Sequence, residues 1–98
     1  MPVVPSQFEI AGLTIKVTLD ETLGKDKKVV GEAKYATQQI ILDPTTCTEE
    51  GLYQNFLHEF THWIFYITGH DDLRNNENLV DLIAHFYHQM NKTARYDR

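Results

Sequence analysis

Apolar and polar residues alternate through residues 8–19, but in two phases: Phe8 and Ile10 first, then Leu13, Ile15, Val17 and Leu19. A period of two places one set of side chains on one face of a strand. The phase slips at Ala11-Gly12, where glycine permits a tight turn. The pattern predicts a short strand or lead-in, a turn, and a strand over 13–19. Residues 20–30, "DETLGKDKKVV", carry Gly24 and a cluster of charges and read as a loop. Val29–Tyr35 and Gln38–Leu42 are β-prone runs that predict a hairpin, with Ala36-Thr37 near its turn. Asp43-Pro44 closes the second run, because proline cannot donate to a ladder and biases its predecessor towards extended backbone.

Beyond Pro44 the period changes. Thr46 and Thr48 offer N-caps, and Glu49 and Glu50 complement the positive end of a helix. Leu52, Phe56, Phe60, Trp63 and Ile67 then recur at helical spacing, while Leu57, Ile64 and Phe65 widen the apolar surface. The helix is expected over about 48–68, buried on more than one side and stopped at Gly69. "HDDLRNN" reads as a polar loop. A second helix is expected over about 75–92, with Leu79, Ile83, Phe86 and Met90 as its buried stripe, and "NKTARYDR" as a fraying tail. Strands followed by two helices predict one α+β domain over residues 1–98, with a sheet of three or four strands within about 8–42.

Composition narrows the class. A chain of 98 residues with 42% hydrophobic and 11% aromatic content suits a folded domain with a modest core. Its net charge of −5 argues against a phosphate backbone as partner, and no nucleic acid is expected. Lys25, Asp26, Lys27 and Lys28 form a small mixed patch that reads as a solvated loop. Cys47 is the single cysteine, so no internal disulfide forms. With no signal-peptide pattern at the N-terminus and no stretch as long as a membrane span, the expectation is a cytoplasmic protein with no membrane partner.

The chemistry lies at residues 58–62, "HEFTH". Four residues apart on a helix, His58 and His62 share a face with Cβ atoms roughly 5–6 Å apart, so both rings reach one ion. Zn²⁺ takes neutral imidazole readily and tolerates a tetrahedral site with one position open to water. Glu59 projects beside that face, where its carboxylate takes a proton from an activated water and returns it to a leaving amine. This is the H-E-x-x-H arrangement of zinc hydrolases. The two histidines point away from the Phe56/Phe60/Trp63 stripe, so the metal reading does not compete with the core.

A third protein ligand is needed. "NENLVD" at 76–81 places Glu77 one short loop beyond the first helix, and an antiparallel helix pair returns it to the ion. Asp81 shares its face and is suited to accept the free N–H of a liganding histidine. His70, Asp71 and Asp72 are rival ligands closer in sequence.

"HEFTH" followed by "NENLVD" resembles the signature of the gluzincins, the thermolysin-like zinc metallopeptidases, in which H-E-x-x-H is followed by E-x-x-x-D. The short chain and its order of elements resemble the reduced minigluzincin type and small zincin-like proteins of bacteriophages. The resemblance implies a zincin-like fold, one zinc ion held by His58, His62 and Glu77, Glu59 as general base, and Asp81 orienting His58. It further implies a peptide or protein substrate bound in extended form along a sheet edge, with the Val29–Tyr35 strand as that edge. A peptidase also needs a donor for the substrate oxyanion. His88, on the Glu77/Asp81 line of the second helix, His85 and Tyr87 are candidates, with Tyr35 and Tyr66 further ones. The alternatives to a zinc metallopeptidase are a binding or assembly module whose metal is structural or whose activity has decayed, a peptidase completed by a second copy or another chain, and a zinc-dependent nuclease or DNA-associated protease, which the acidic charge argues against.

Overall fold

The computed structural model describes residues 4–98, and in it the alternating runs form a four-stranded sheet. β1 (Gln7–Ile10) and β2 (Leu13–Leu19) pair antiparallel with Ile10 opposite Leu13. Ala11 and Gly12 join them with φ of 50° and 80°. Two successive left-handed residues match the twist of the flanking strands, which is why the phase slip falls there. β3 (Gly31–Lys34) and β4 (Gln39–Leu42) make a second antiparallel hairpin, connected by residues 35–38. β4 pairs parallel with β2, giving the order β1-β2-β4-β3 and leaving β3 at an edge.

The parallel pairing requires a crossover, and residues 20–30 supply it. Where a plain loop was expected, Leu23–Lys27 form a short helical turn, α1, that buries Leu23. Asp43, enclosed at the end of β4, holds this turn in place. Its Oδ2 accepts from the Gly24 amide at 2.8 Å, and its Oδ1 accepts from the Thr45 amide and hydroxyl at 2.8 and 2.6 Å. These three donors, led by the Thr45 hydroxyl, hold the Asp43 carboxyl below the usual carboxylate range.

Helix α2 spans Glu49–Ile67, and the Thr48 hydroxyl caps it by accepting from the Gly51 amide at 3.1 Å. At its far end the His70 amide bonds the Phe65 carbonyl and the Gly69 amide bonds the Tyr66 carbonyl, the paired closure of a Schellman turn. The apolar face of α2 lies on the sheet: Phe56, Leu57 and Trp63 pack with Ile15, Ile40 and Leu42. Phe8 of β1 meets Phe56 and Phe60 edge-on, at 5.7 and 5.3 Å between ring centres. Trp63 is fully buried and donates its indole N–H to the Gln39 carbonyl at 3.3 Å, tying α2 to β4.

Residues 71–74, also expected as loop, form one helical turn, α3 (Asp71–Arg74), with acids at its start and an arginine at its end, as the helix dipole favours. Helix α4 (Glu77–Thr93) then runs back along α2. Its orientation corrects the expected stripe. Val80 and Ala84 are the fully buried residues, whereas Phe86 is 61% and Met90 48% exposed, and Ile83 also faces solvent. The face against α2 is set by Glu77, Val80, Asp81, Ala84, His88 and Asn91, at helical three–four spacing. Small apolar residues at its centre let the helices approach. Polar residues on either side find partners on α2: Asn91 donates to the Tyr53 hydroxyl at 2.7 Å, and His88 lies between Glu50 and Gln54. Among the described residues no helix is long and apolar enough to cross a membrane.

Candidate metal centre

Three elements converge on one point. The middle of α2 presents His58, Glu59 and His62, and the turn through α3 brings the chain back so that α4 begins there. Asn76 caps that helix by accepting from the Leu79 amide at 3.1 Å, which fixes the first-turn residue, Glu77, against α2. One Glu77 oxygen lies 3.0 Å from His58 Nε2, and the other lies 3.1 Å from His62 Nε2. One donor atom from each of the three residues falls within 4.8 Å of the others, close enough for one metal ion to take all three. His70 stands exposed at the N-cap position of α3 without a side-chain capping bond, Asp71 pairs with Arg74 at 3.3 Å, and Asp72 is exposed, so none of these rivals joins the cluster.

The surroundings aim the donors. His58 Nδ1 lies 3.3 Å from Asp81 Oδ1, a contact that leaves Nε2 to face Glu77. The backbone carbonyl of Arg74 lies against the His62 ring. Burial pushes the His62 pKa down, with Glu77 opposing, so the ring favours the neutral form that offers a lone pair. Two imidazoles and one carboxylate are a donor set that suits a divalent transition ion.

Glu59 lies on the sheet side of this cluster, beneath β3. Burial pushes its pKa up to about 7; His58 pulls the other way, while Glu77 and Glu32 add to the rise. A carboxyl group with that value exchanges a proton readily at neutral pH. Gly31 makes its position available. A Cβ at residue 31 would stand 3.2 Å from both Cγ and Oε2 of Glu59 and 3.1 Å from Leu42 Cδ2, so a side chain there crowds the carboxylate and Leu42 by a few tenths of an ångström.

A cleft of about 710 Å³ opens over these groups, bounded on one side by β3 and on the other by the start of α4. The strand offers a usable edge. The Asp43 amide bonds the Val30 carbonyl, and with Gly31 opposite Leu42 the paired backbone groups of β3 fall at Glu32 and Lys34. Gly31 and Ala33 therefore turn their N–H and C=O groups away from β4, towards the cleft. The Ala33 amide already faces the Glu59 carboxylate and favours its ionised form.

None of the three helix-borne donor candidates lines this cleft. His88 Nε2 lies 2.7 Å from Glu50 Oε2 and its Nδ1 2.8 Å from Gln54 Oε1. Tyr87 borders a separate groove with Phe8, Tyr53 and Phe60. His85 is exposed and leans on the outer oxygen of Asp81 at 3.4 Å. The cleft wall is instead completed by Tyr35, Asn55, Arg74 and Asn75. Of these only Tyr35 stood out in the sequence. A single arginine in a polar loop carries no signal, whereas Gly31 inside a β-prone run was a readable mark of close approach.

No family model, curated protein or solved structure matches the chain. The coarse description rests on the molecule itself: a small α+β fold in which a histidine–histidine–glutamate cluster is geometrically able to hold a metal ion.

Proposed function

We propose that this chain is a zinc metallopeptidase with a zincin-like fold and gluzincin-type ligands. The observation that carries the reading is Glu77: it comes from a different helix, spans the two histidine Nε2 atoms, and is backed by Asp81 behind His58. His58, His62 and Glu77 are the ligands in this reading. Zinc in such a site supplies Lewis acidity, lowering the pKa of water and polarising a carbonyl.

The chain's own groups supply the rest. The outward-facing Gly31 and Ala33 backbone groups take an extended peptide as an added strand, which positions one carbonyl over the cleft. Glu59 accepts a proton as water oxygen bonds to the carbonyl carbon. It then passes that proton to the amide nitrogen, and the C–N bond breaks to give a carboxylic acid and an amine. An open cleft beside Glu59 supports this reading over a closed, purely structural metal site.

Metal content by mass spectrometry tests the ligand set. Wild-type protein purified without chelator is expected to hold one zinc, and His58→Ala, His62→Ala and Glu77→Ala to lose it. Stoichiometric zinc in Glu77→Ala overturns the third ligand, and no zinc in the wild type overturns the whole reading. Glu59→Gln is expected to keep zinc and lose cleavage of an unstructured protein substrate. Equal cleavage by both proteins assigns the activity to a contaminant. Retained zinc without any cleavage leaves a structural metal site.

A further inference from the structure

We propose that Tyr35 is the oxyanion donor of this site, with Arg74 as the residue that positions it; this deepens the peptidase reading and rests on it. Tyr35 follows β3 directly, so it stands at the end of the strand that would hold the peptide. Its ring is fixed on three sides. It stacks on Tyr66 with ring centres 4.2 Å apart and planes 14° from parallel, and it meets buried Trp63 edge-on at 5.0 Å. The Arg74 guanidinium lies 5.1 Å from the Tyr35 ring centre and 5.7 Å from that of Tyr66. A ring held this way loses little further freedom when its hydroxyl engages a ligand.

The partners of the hydroxyl decide the role. Arg74 has only donors and lies over the Tyr35 ring face, so it takes nothing from the phenolic hydrogen. The O–H hydrogen is left to donate, and the residue lines the same cleft as Glu59 and Glu77. The guanidinium itself is poorly placed to receive a substrate carboxylate. Its NH2 group is engaged by Asp71 at 3.3 Å, its Nε is buried without a partner, and two aromatic rings lie beside it. Arg74 therefore acts through Tyr35. As the carbonyl oxygen gains charge during water addition, the Tyr35 O–H donates to it, and no proton need transfer.

The test compares two peptides on zinc-loaded protein by calorimetry. A phosphinic peptide presents a charged tetrahedral oxygen pair; a thiol peptide binds zinc without one. Tyr35→Phe is expected to weaken the phosphinic peptide by about 10- to 100-fold, the range for a hydrogen bond to a charged group. Thiol-peptide affinity and zinc content should stay within about twofold. Arg74→Ala should weaken the same phosphinic contact, and Arg74→Lys should restore part of it. Unchanged phosphinic affinity in Tyr35→Phe overturns the assignment, as does a parallel loss of both peptides. Wild-type protein that holds zinc yet binds neither peptide overturns the peptidase reading and this inference with it. If cleavage is measurable, Tyr35→Phe should lower kcat far more than it raises KM.

Discussion

Glu59 shows most directly how one residue's surroundings set its chemistry. Its neighbours on α2 are two histidines, yet the dominant influence is enclosure beneath β3, which raises its pKa from near 4.5 to about 7. In metal-free protein the folded state then keeps a proton that the unfolded chain releases above about pH 4.5. Stability therefore falls as pH rises from about 4.5 to 7 and stays low beyond. Glu59→Gln removes that dependence. Urea unfolding in chelator should show it more stable than wild type at pH 8, on the order of 2–3 kcal/mol, and nearly equal at pH 4. A wild-type stability that is flat across this interval would contradict the buried acid. Gly31 is the complementary case, since its importance lies in what it lacks. Gly31→Ala should keep zinc and lower cleavage about tenfold, because Glu59 must move by a few tenths of an ångström.

At the scale of elements, the strands and α2 were legible because burial there follows periodicity. Ile15, Ile40, Phe56 and Trp63 are all in the core, where alternation or helical spacing put them. α4 was legible in position and misleading in rotation. Its largest apolar residues point outward, and its inward face carries Glu77, Asp81, His88 and Asn91, each of which meets a polar partner on α2. Hydrophobicity alone cannot report a face chosen by hydrogen bonds and by two small residues. The short turns α1 and α3 were missed for a related reason, since their stability comes from tertiary contacts such as Asp43 and buried Leu23 rather than from local pattern. The orientation is checked by two substitutions. Ala84→Leu should cost about 1–3 kcal/mol through overpacking. Phe86→Ser should change urea stability by no more than about 0.5 kcal/mol. The reverse ranking would restore the rotation read from the sequence.

Across the whole molecule, the proposed ligands join α2 to α4, whereas the environment of Glu59 is set by the sheet. The histidine–histidine–glutamate cluster was readable because it is written in spacing, four residues apart on α2 and at the first turn of the next helix. The cleft was not, because its wall comes from β3, α3 and a stacked tyrosine pair that meet only after folding. Free zinc at about 100 times its Kd should stabilise the fold by roughly 2.7 kcal/mol, with chelator reversing the gain in thermal unfolding. Slowed amide exchange should concentrate around residues 70–81, where α3 and the start of α4 carry Glu77 to the two histidines. The outward stripe of α4 has a colloidal consequence as well. Leu82, Ile83, Phe86 and Met90 put greasy surface into water, and repulsion between like-charged molecules is what keeps such surfaces apart. That repulsion vanishes near pH 5.4, where the net charge passes through zero. Turbidity should peak there, salt should do little to relieve it, and Phe86→Ser should flatten the peak by making the molecule less sticky without making it any more charged.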